Sequence, residues 1–519
     1  MLLPMLRVSK HIFFFTFALA LLCSMPAKAV APIPGSNSVE PLRPHIPQGI
    51  VSQHRAARLA STMPSEKALA SRGLLIVVEF QDLALAKGNT LNAFDSLANG
   101  DNYTYNGASG SCLQYYKAQS NGLYNPHFDV VGPVVLPDSM AYYGTDTSVE
   151  GDDRYVVDFV LDACFGAQKL GTNFANYDQD NDGVVDLVYI IYAGRNQADG
   201  GDEATIWPHA WDIQSALYFG NTNQTEYFVK QDANGYITSQ NLPVLDGKQI
   251  LKYACSSELT GSEQRRTGIG TICHEFCHVL GLADLYITGD GTADRRLVPG
   301  SWALMSHGNY LNNGNTPPNL SVWEKYYLGW AEPSMLDSNE MVILPADGAT
   351  YRMLNRTGAH PEKGPLTTDT MFYFENRQMT GWDTYLPGHG MLVWRVVYDE
   401  EEWYYNTPNN YTTRFQLIAA NGSTPYTSDM RGGTRQDVPF PGRLEYTEYA
   451  PYEHTMLKDI SEKEGVISFY FENMNPTSII SPSVEINSNG LWYNLMGQVI
   501  NPISYHGLVI HNGKKILLP

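Results

Sequence analysis

The stretch HEFCHVLGLADLY, residues 274–286, constrains the fold of this chain more tightly than any other. His274 and His278 stand four residues apart, and that spacing shares one face only if the backbone is helical. A helix aims both imidazoles at one ion, at the roughly 2.0–2.1 Å of a zinc–nitrogen bond. Glu275 is turned about 100° away from His274, so it flanks the ion and faces a bound water instead of ligating. This is the H-E-x-x-H arrangement, two ligands and a general base from one helical turn. A catalytic zinc usually has a third protein ligand and one open position. Gly281 can take the positive φ that ends a helix and turns the chain, and Asp284 can then swing back to the same ion. The rival reading, a helix with solvated polar residues, gives no reason for a glycine and an aspartate at those intervals.

The rest of the chain must house that helix. At 519 residues it is too long for one compact core, so two or three domains are expected. GLLIVVEF from Gly73 and VVDLVYIIYAG from Val184 are continuous apolar runs suited to buried strands. DRYVVDFVLDACFGAQ from Asp153 and TGIGTICHEFCHVLGL from Thr267 have helical spacing. A first domain therefore spans about 71–335. Beyond Trp330, TMFYFENRQ, HGMLVWRVVYD and GVISFYFEN alternate between Gly, Pro and Asn turns, which predicts a β-rich domain over about 336–475. The tail, 476–519, carries LWYNLMGQVI and HGLVIHNGKKILL, with Asn512-Gly513 favouring a tight hairpin.

Charge excludes whole classes of partner. Against 34 Lys and Arg stand 54 Asp and Glu, a formal charge of −20. Nucleic acid and anionic membranes both demand basic clusters, so neither is expected. The N-terminus reads as an export signal over residues 1–29: Arg7 and Lys10, the apolar run IFFFTFALALL, then small residues at Ala27 to Ala29. No later segment has the roughly 18 apolar residues of a spanning helix. The Pro-rich stretch 30–70 reads as a prosegment; it has no cysteine, so no thiol there can mask a metal. Five cysteines follow the signal, an odd number in a long chain, and small buried thiols are expected rather than a disulfide scaffold.

A second cation site is written in DQDNDGVVD. Asp178, Asp180, Asp182 and Asp186 occupy positions 1, 3, 5 and 9 of an EF-hand-like loop, Gly183 the turn, and Val184 would offer its carbonyl. The glutamate of position 12 is absent; Tyr189 stands there, inside a strand. A structural calcium that pins the turn is expected, against the alternative of an acidic solvated turn.

HEFCHVLGLADLY, then WALMSHG and VWEKYYLGW, resembles the immune inhibitor A family of secreted bacterial metallopeptidases. DQDNDGVVDLVYIIYAG and IWPHAWD upstream, and YFENRQMTGWDTYLPGHGMLVWRV and VPFPG downstream, extend the resemblance over roughly Leu74 to Phe471. Two departures sit against the helix: Cys277 where the family often has glycine, and Ala283 where proline is common. The resemblance implies an α+β fold with a metzincin-like catalytic domain, mixed sheet and active-site helix, followed by a sandwich-like β-rich domain. It also implies bound zinc and calcium, and protein or peptide substrates. Met305 then becomes a candidate for the methionine turn beneath the metal, packing against the histidines without binding the ion.

The chemistry that follows is peptide hydrolysis outside the cell. Glu275 takes a proton from a water activated by zinc and returns it to the leaving amine. Tyr310 and His209 are candidate donors to the developing oxyanion. Two rivals differ in class: a surface-binding protein that keeps the helix as a relic, and a metal-dependent hydrolase of a non-peptide bond. An intact Glu275 favours an enzyme, since a relic has no need of the base. The tail is read either as a segment for secretion and surface attachment or as a plain β-hairpin.

Overall fold

The computed structural model describes residues 71–518, apart from 147–152, 234–236, 262–263, 289–292, 294–296, 347–350, 355–360, 423–437, 453, 475–491, 495–497, 502–506 and 512–513. The expected signal, the prosegment and the Asn512-Gly513 turn lie outside these residues.

Strand β1 (Arg72–Glu79) is an interior strand of a five-stranded mixed sheet with β2 (His127–Val135), β3 (Val188–Tyr192), β4 (His209–Asp212) and β5 (Lys252–Ser257), in the order β2-β1-β3-β5-β4. β1, β2, β3 and β5 run parallel, and β4 closes one edge antiparallel. The continuous apolar run of β1 reflects burial on both faces. Leu74, Ile76 and Val78 pack on one side with helix α3 (Val156–Lys169). Leu75 and Val77 pack on the other with α2 (Cys112–Gln119) and α4 (Ile269–Val279). On the face that carries α4 the chain also has α1 (Leu91–Asn99), whose Phe94 and Leu97 join the same core.

Further along, strands form two sheets stacked face to face. One has five strands: β6 (Ser334–Met335), β8 (Tyr351–Leu354), β9 (Thr370–Arg377), β10 (Gly390–Val397) and β11 (Phe415–Ile418). The other has four: β7 (Glu340–Leu344), β14 (Val466–Asn473), β13 (Thr455–Lys463) and β12 (Tyr449–Tyr452). Strand period decides their packing. Phe372, Phe374, Met391 and Val393 meet Phe469 and Phe471 between the two sheets. Their alternates Met371, Tyr373, Leu392 and Trp394 face the other way, into the core that also holds Phe276 and Met305. The first of these sheets is thus buried on both sides, and one of its faces belongs to the core beneath α4.

That shared face is sewn by polar contacts as well. Helix α5 (Val322–Tyr327) starts with a capping box from Ser321 and Glu324. Just before it, Asn319 donates through its backbone and side-chain nitrogens to Asp383, at 2.9 and 2.8 Å. Arg377 grips the same carboxylate through Nε and Nη2, at 2.6 and 2.5 Å, and lies 3.3 Å from Glu375. Trp394 Nε1 donates to Glu375 at 2.6 Å.

The tail strands β15 (Trp492–Asn494), β16 (Val499–Ile500), β17 (Gly507–His511) and β18 (Lys514–Leu518) form an antiparallel sheet in the order β16-β15-β17-β18. His511 pairs with Lys514 across the Asn512-Gly513 connection. Cys112, Cys164, Cys255, Cys273 and Cys277 are all buried free thiols, as the odd count suggested. Among the described residues no helix is long and apolar enough to cross a membrane.

Candidate metal centre

Helix α4 begins where two backbones nearly touch. A Cβ at Gly268 would lie 2.1 Å from the Gly314 carbonyl oxygen, and one at Gly270 would lie 2.0 Å from that of Asn309. Only glycine permits this approach, so the segment after Met305 can lie directly against the start of the helix. The Tyr116 hydroxyl on α2 donates to the Cys273 carbonyl at 2.7 Å and sits 3.8 Å from Cys277 Sγ. Cys277 therefore fills space under the helix, where a glycine would leave a gap.

The helix places His274 and His278 on one face, with ring centroids 5.1 Å apart and planes at 85°. It ends at Gly281, whose φ of 95° reverses the chain; Gly281 and Leu282 amides close on His278 and Cys277 carbonyls. That reversal returns Asp284. Its Oδ1 lies 3.0 Å from His274 Nε2 and 3.4 Å from His278 Nε2. The three side chains can offer ligand atoms that all lie within 4.8 Å of one another. Each histidine is oriented from behind: Nδ1 of His274 donates to the Leu304 carbonyl at 2.8 Å, and Nδ1 of His278 to that of Leu282 at 2.9 Å. Fixing Nδ1 as the donor leaves Nε2 as the lone-pair nitrogen on both rings. Nε2 of His278 is buried and has no hydrogen-bond partner. Two neutral imidazole nitrogens and one carboxylate oxygen, all buried or nearly so, are a donor set that fits zinc.

Without a metal the cluster holds a proton instead. Burial pulls the His274 pKa down, but Asp284 hydrogen-bonded to its Nε2 and the charge of Glu275 outweigh it, raising it from 6.5 to about 9. Glu275 is fully buried on the same helix. Met305 is fully buried too, and its carbonyl accepts from the Leu285 amide at 2.7 Å, tying the turn at 305 to the residue after Asp284.

Of the two candidate oxyanion donors, His209 is committed elsewhere: Nδ1 lies 2.6 Å from the Trp207 carbonyl and Nε2 2.9 Å from the Tyr253 hydroxyl. Tyr310 lines a small polar cavity with Ser256, Ser257, Thr267 and Thr271, the last one helical turn before Glu275.

In the acidic loop, Asp178, Asp180 and Asp182 gather into a second cluster able to hold a cation. Asp178 Oδ2 takes Lys248 Nζ at 2.5 Å and the Gly183 amide at 3.1 Å, while its Oδ1 is buried with no hydrogen-bond partner. Asp186 is not gathered with them; its Oδ2 accepts from the amide and side chain of Gln179 at 3.0 and 3.1 Å. Val184 donates its amide to Asp182 at 2.9 Å.

Asparagines of the loop after α6 (Glu400–Tyr404) went unnoticed in the sequence. Asn406 pairs with Asp284, Asn409 donates to the Leu285 carbonyl, and Asn410 bonds Thr288. The run NTPNN carries no local motif, and its partners lie 122 to 124 residues away. Nothing short-range could have announced it.

The helix-borne histidine pair and the returning aspartate together form, beside the mixed sheet, a cluster able to hold a metal ion. Residues 76–331 match the family described as immune inhibitor A peptidase M6, catalytic domain. A protein of Arthroderma benhamiae named "Putative secreted metallopeptidase" is 23% identical over 216 residues, covering 39% of this chain and 29% of that protein. The chain thus spans less than a third of that relative's length.

Proposed function

We propose that this chain is a secreted zinc endopeptidase with Glu275 as its general base. The observation that carries this reading is the convergence of His274 Nε2, His278 Nε2 and Asp284 Oδ1, both rings locked by backbone carbonyls, beside a buried glutamate. Zinc bound there would act as a Lewis acid toward a water and the scissile carbonyl. Glu275 accepts the proton of that water and delivers it to the leaving amine. Gly281 and Met305 are supporting residues: one turns Asp284 inward, the other packs below the histidines. The export signal at residues 1–29 and the relative's printed name support an extracellular site of action. On this reading the prosegment at 30–70 keeps the enzyme latent, the catalytic domain covers 71–335 with a metzincin-like fold, and the stacked sheets of 336–475 form the β-rich domain. The tail, 476–519, serves secretion or surface attachment.

A structural calcium at Asp178, Asp180 and Asp182 belongs to the same proposal, supported by the unpartnered buried Oδ1 of Asp178. Val184 and Asp186 complete the loop only if the ion draws Asp186 away from Gln179.

Casein cleavage by purified residues 30–519, wild type beside Glu275→Gln with zinc content measured, tests the reading. Equal zinc with activity lower by about 10²–10⁴-fold in the variant is the expected result. Equal activity would remove Glu275 from its role. Hydrolysis of esters without proteolysis would point to a non-peptide substrate.

A further inference from the structure

We propose that Asn406 is the positioning residue of Asp284, so that the metal centre is completed from outside the segment 76–331 that matches the catalytic-domain family. This rests on the reading of His274, His278 and Asp284 as metal ligands. Two hydrogen bonds make the pair: the Asp284 amide donates to Asn406 Oδ1 at 2.5 Å, and Asn406 Nδ2 donates to Asp284 Oδ2 at 2.6 Å. The carboxylate is thereby divided. Oδ2 is held by Asn406, and Oδ1 is the oxygen that faces both histidine Nε2 atoms.

The residue type is specific to this task. An amide offers one acceptor and one donor, which match the N–H and the carboxylate of a single aspartate. A carboxylate at 406 would keep the acceptor but repel Asp284; an aliphatic residue would supply neither. Asn406 also sits at φ 61°, the left-handed region that asparagine and aspartate tolerate better than most side chains. Its loop is fixed around it: Asn409 donates to the carbonyls of Leu285 and Phe415, and Asn410 bonds both the amide and the hydroxyl of Thr288. The irregular segment 284–288 is therefore clamped by one loop of the β-sheet region. Groups that orient a metal ligand from behind are worth about 10–100-fold in metal affinity when removed.

The test is zinc affinity by chelator competition on the full chain, comparing wild type, Asn406→Ala, Asn406→Asp and Asn410→Ala, with melting of each metal-free protein. Asn406→Asp is nearly isosteric and suits the positive φ, so it keeps the question open to measurement if the alanine variant misfolds. Both Asn406 variants should bind zinc about 10–100-fold more weakly. Asn410→Ala should melt at a lower temperature yet bind zinc as wild type does, which separates positioning from general support of the loop. Wild-type zinc affinity in folded Asn406→Asp overturns the proposal, as does an equal loss in Asn410→Ala. If wild type itself takes up no zinc while the protein is folded, the reading of the three ligands fails first and this proposal falls with it.

Discussion

The carbonyl of Leu304 holds Nδ1 of His274 at 2.8 Å, so a residue thirty positions downstream decides which nitrogen of the imidazole faces Asp284. With no metal bound, the proton on that facing nitrogen is retained, and the His274 pKa rises from 6.5 to about 9. A raised pKa means that the folded protein holds the proton more tightly than the unfolded chain. Its contribution is complete below pH 6.5 and is lost as pH climbs through 9. The metal-free protein should therefore melt at lower temperature at pH 9.5 than at pH 6.5. Zinc competes with the same proton, so zinc affinity should rise over that interval. Thermal melts in chelator and in excess zinc across pH 6–10 check both directions.

Met305 shares the core cluster of helix α4 with Cys273 and Phe276, and its carbonyl accepts from the Leu285 amide. Its side chain is fully buried, so Met305→Ala should cost about 2–5 kcal/mol of stability and Met305→Leu less than about 1.5. Neither change removes a ligand. Denaturant unfolding with zinc content should show the loss in stability while zinc remains near one per chain.

Arg377 neutralises two carboxylates between the sheets and helix α5. Arg377→Met would leave Asp383 and Glu375 buried and uncompensated, at a cost of about 3–5 kcal/mol. Adding Asp383→Asn should recover part of it. Equilibrium unfolding of the single and double variants gives the comparison, and a double variant less stable than the single would contradict this account.

Calcium should raise the melting temperature of the zinc-loaded protein, and Asp180→Ala with Asp182→Ala should abolish the increment. Asp178 is left intact because Lys248 depends on it. Calorimetry with and without calcium at fixed zinc decides this; an undiminished increment in the double variant would put the ion elsewhere.

The buried core should make the two regions unfold together. Met371, Tyr373, Leu392 and Trp394 from the sandwich share one cluster with Phe276 and Met305. One calorimetric transition for residues 71–474 is the expected result, and two well-separated transitions would contradict it.

Much of this architecture was legible in the residues themselves. The continuous apolar runs became β1 and β3, the helical spacing from Asp153 became α3, and HEFCH lies on α4. These signals survive because they are local: a strand buried on both faces must be apolar throughout, and a helix repeats within four residues. Gly281 is legible for the same reason, since the reversal that it permits is a property of its own backbone.

The sequence by itself determined which residues could bind a metal and which turn would bring them together. Tertiary structure alone decided what holds them there. Leu304 behind His274, Asn406 behind Asp284, and Lys248 on Asp178 are contacts between segments 30, 122 and 70 residues apart. A hydrogen bond across such a distance leaves no periodicity or spacing in the chain, because its geometry exists only after the sheets and helices have packed. The same holds for the sandwich. Alternation in TMFYFENR marked a strand, but only packing shows that its two faces serve two cores, one of them beneath the candidate metal centre.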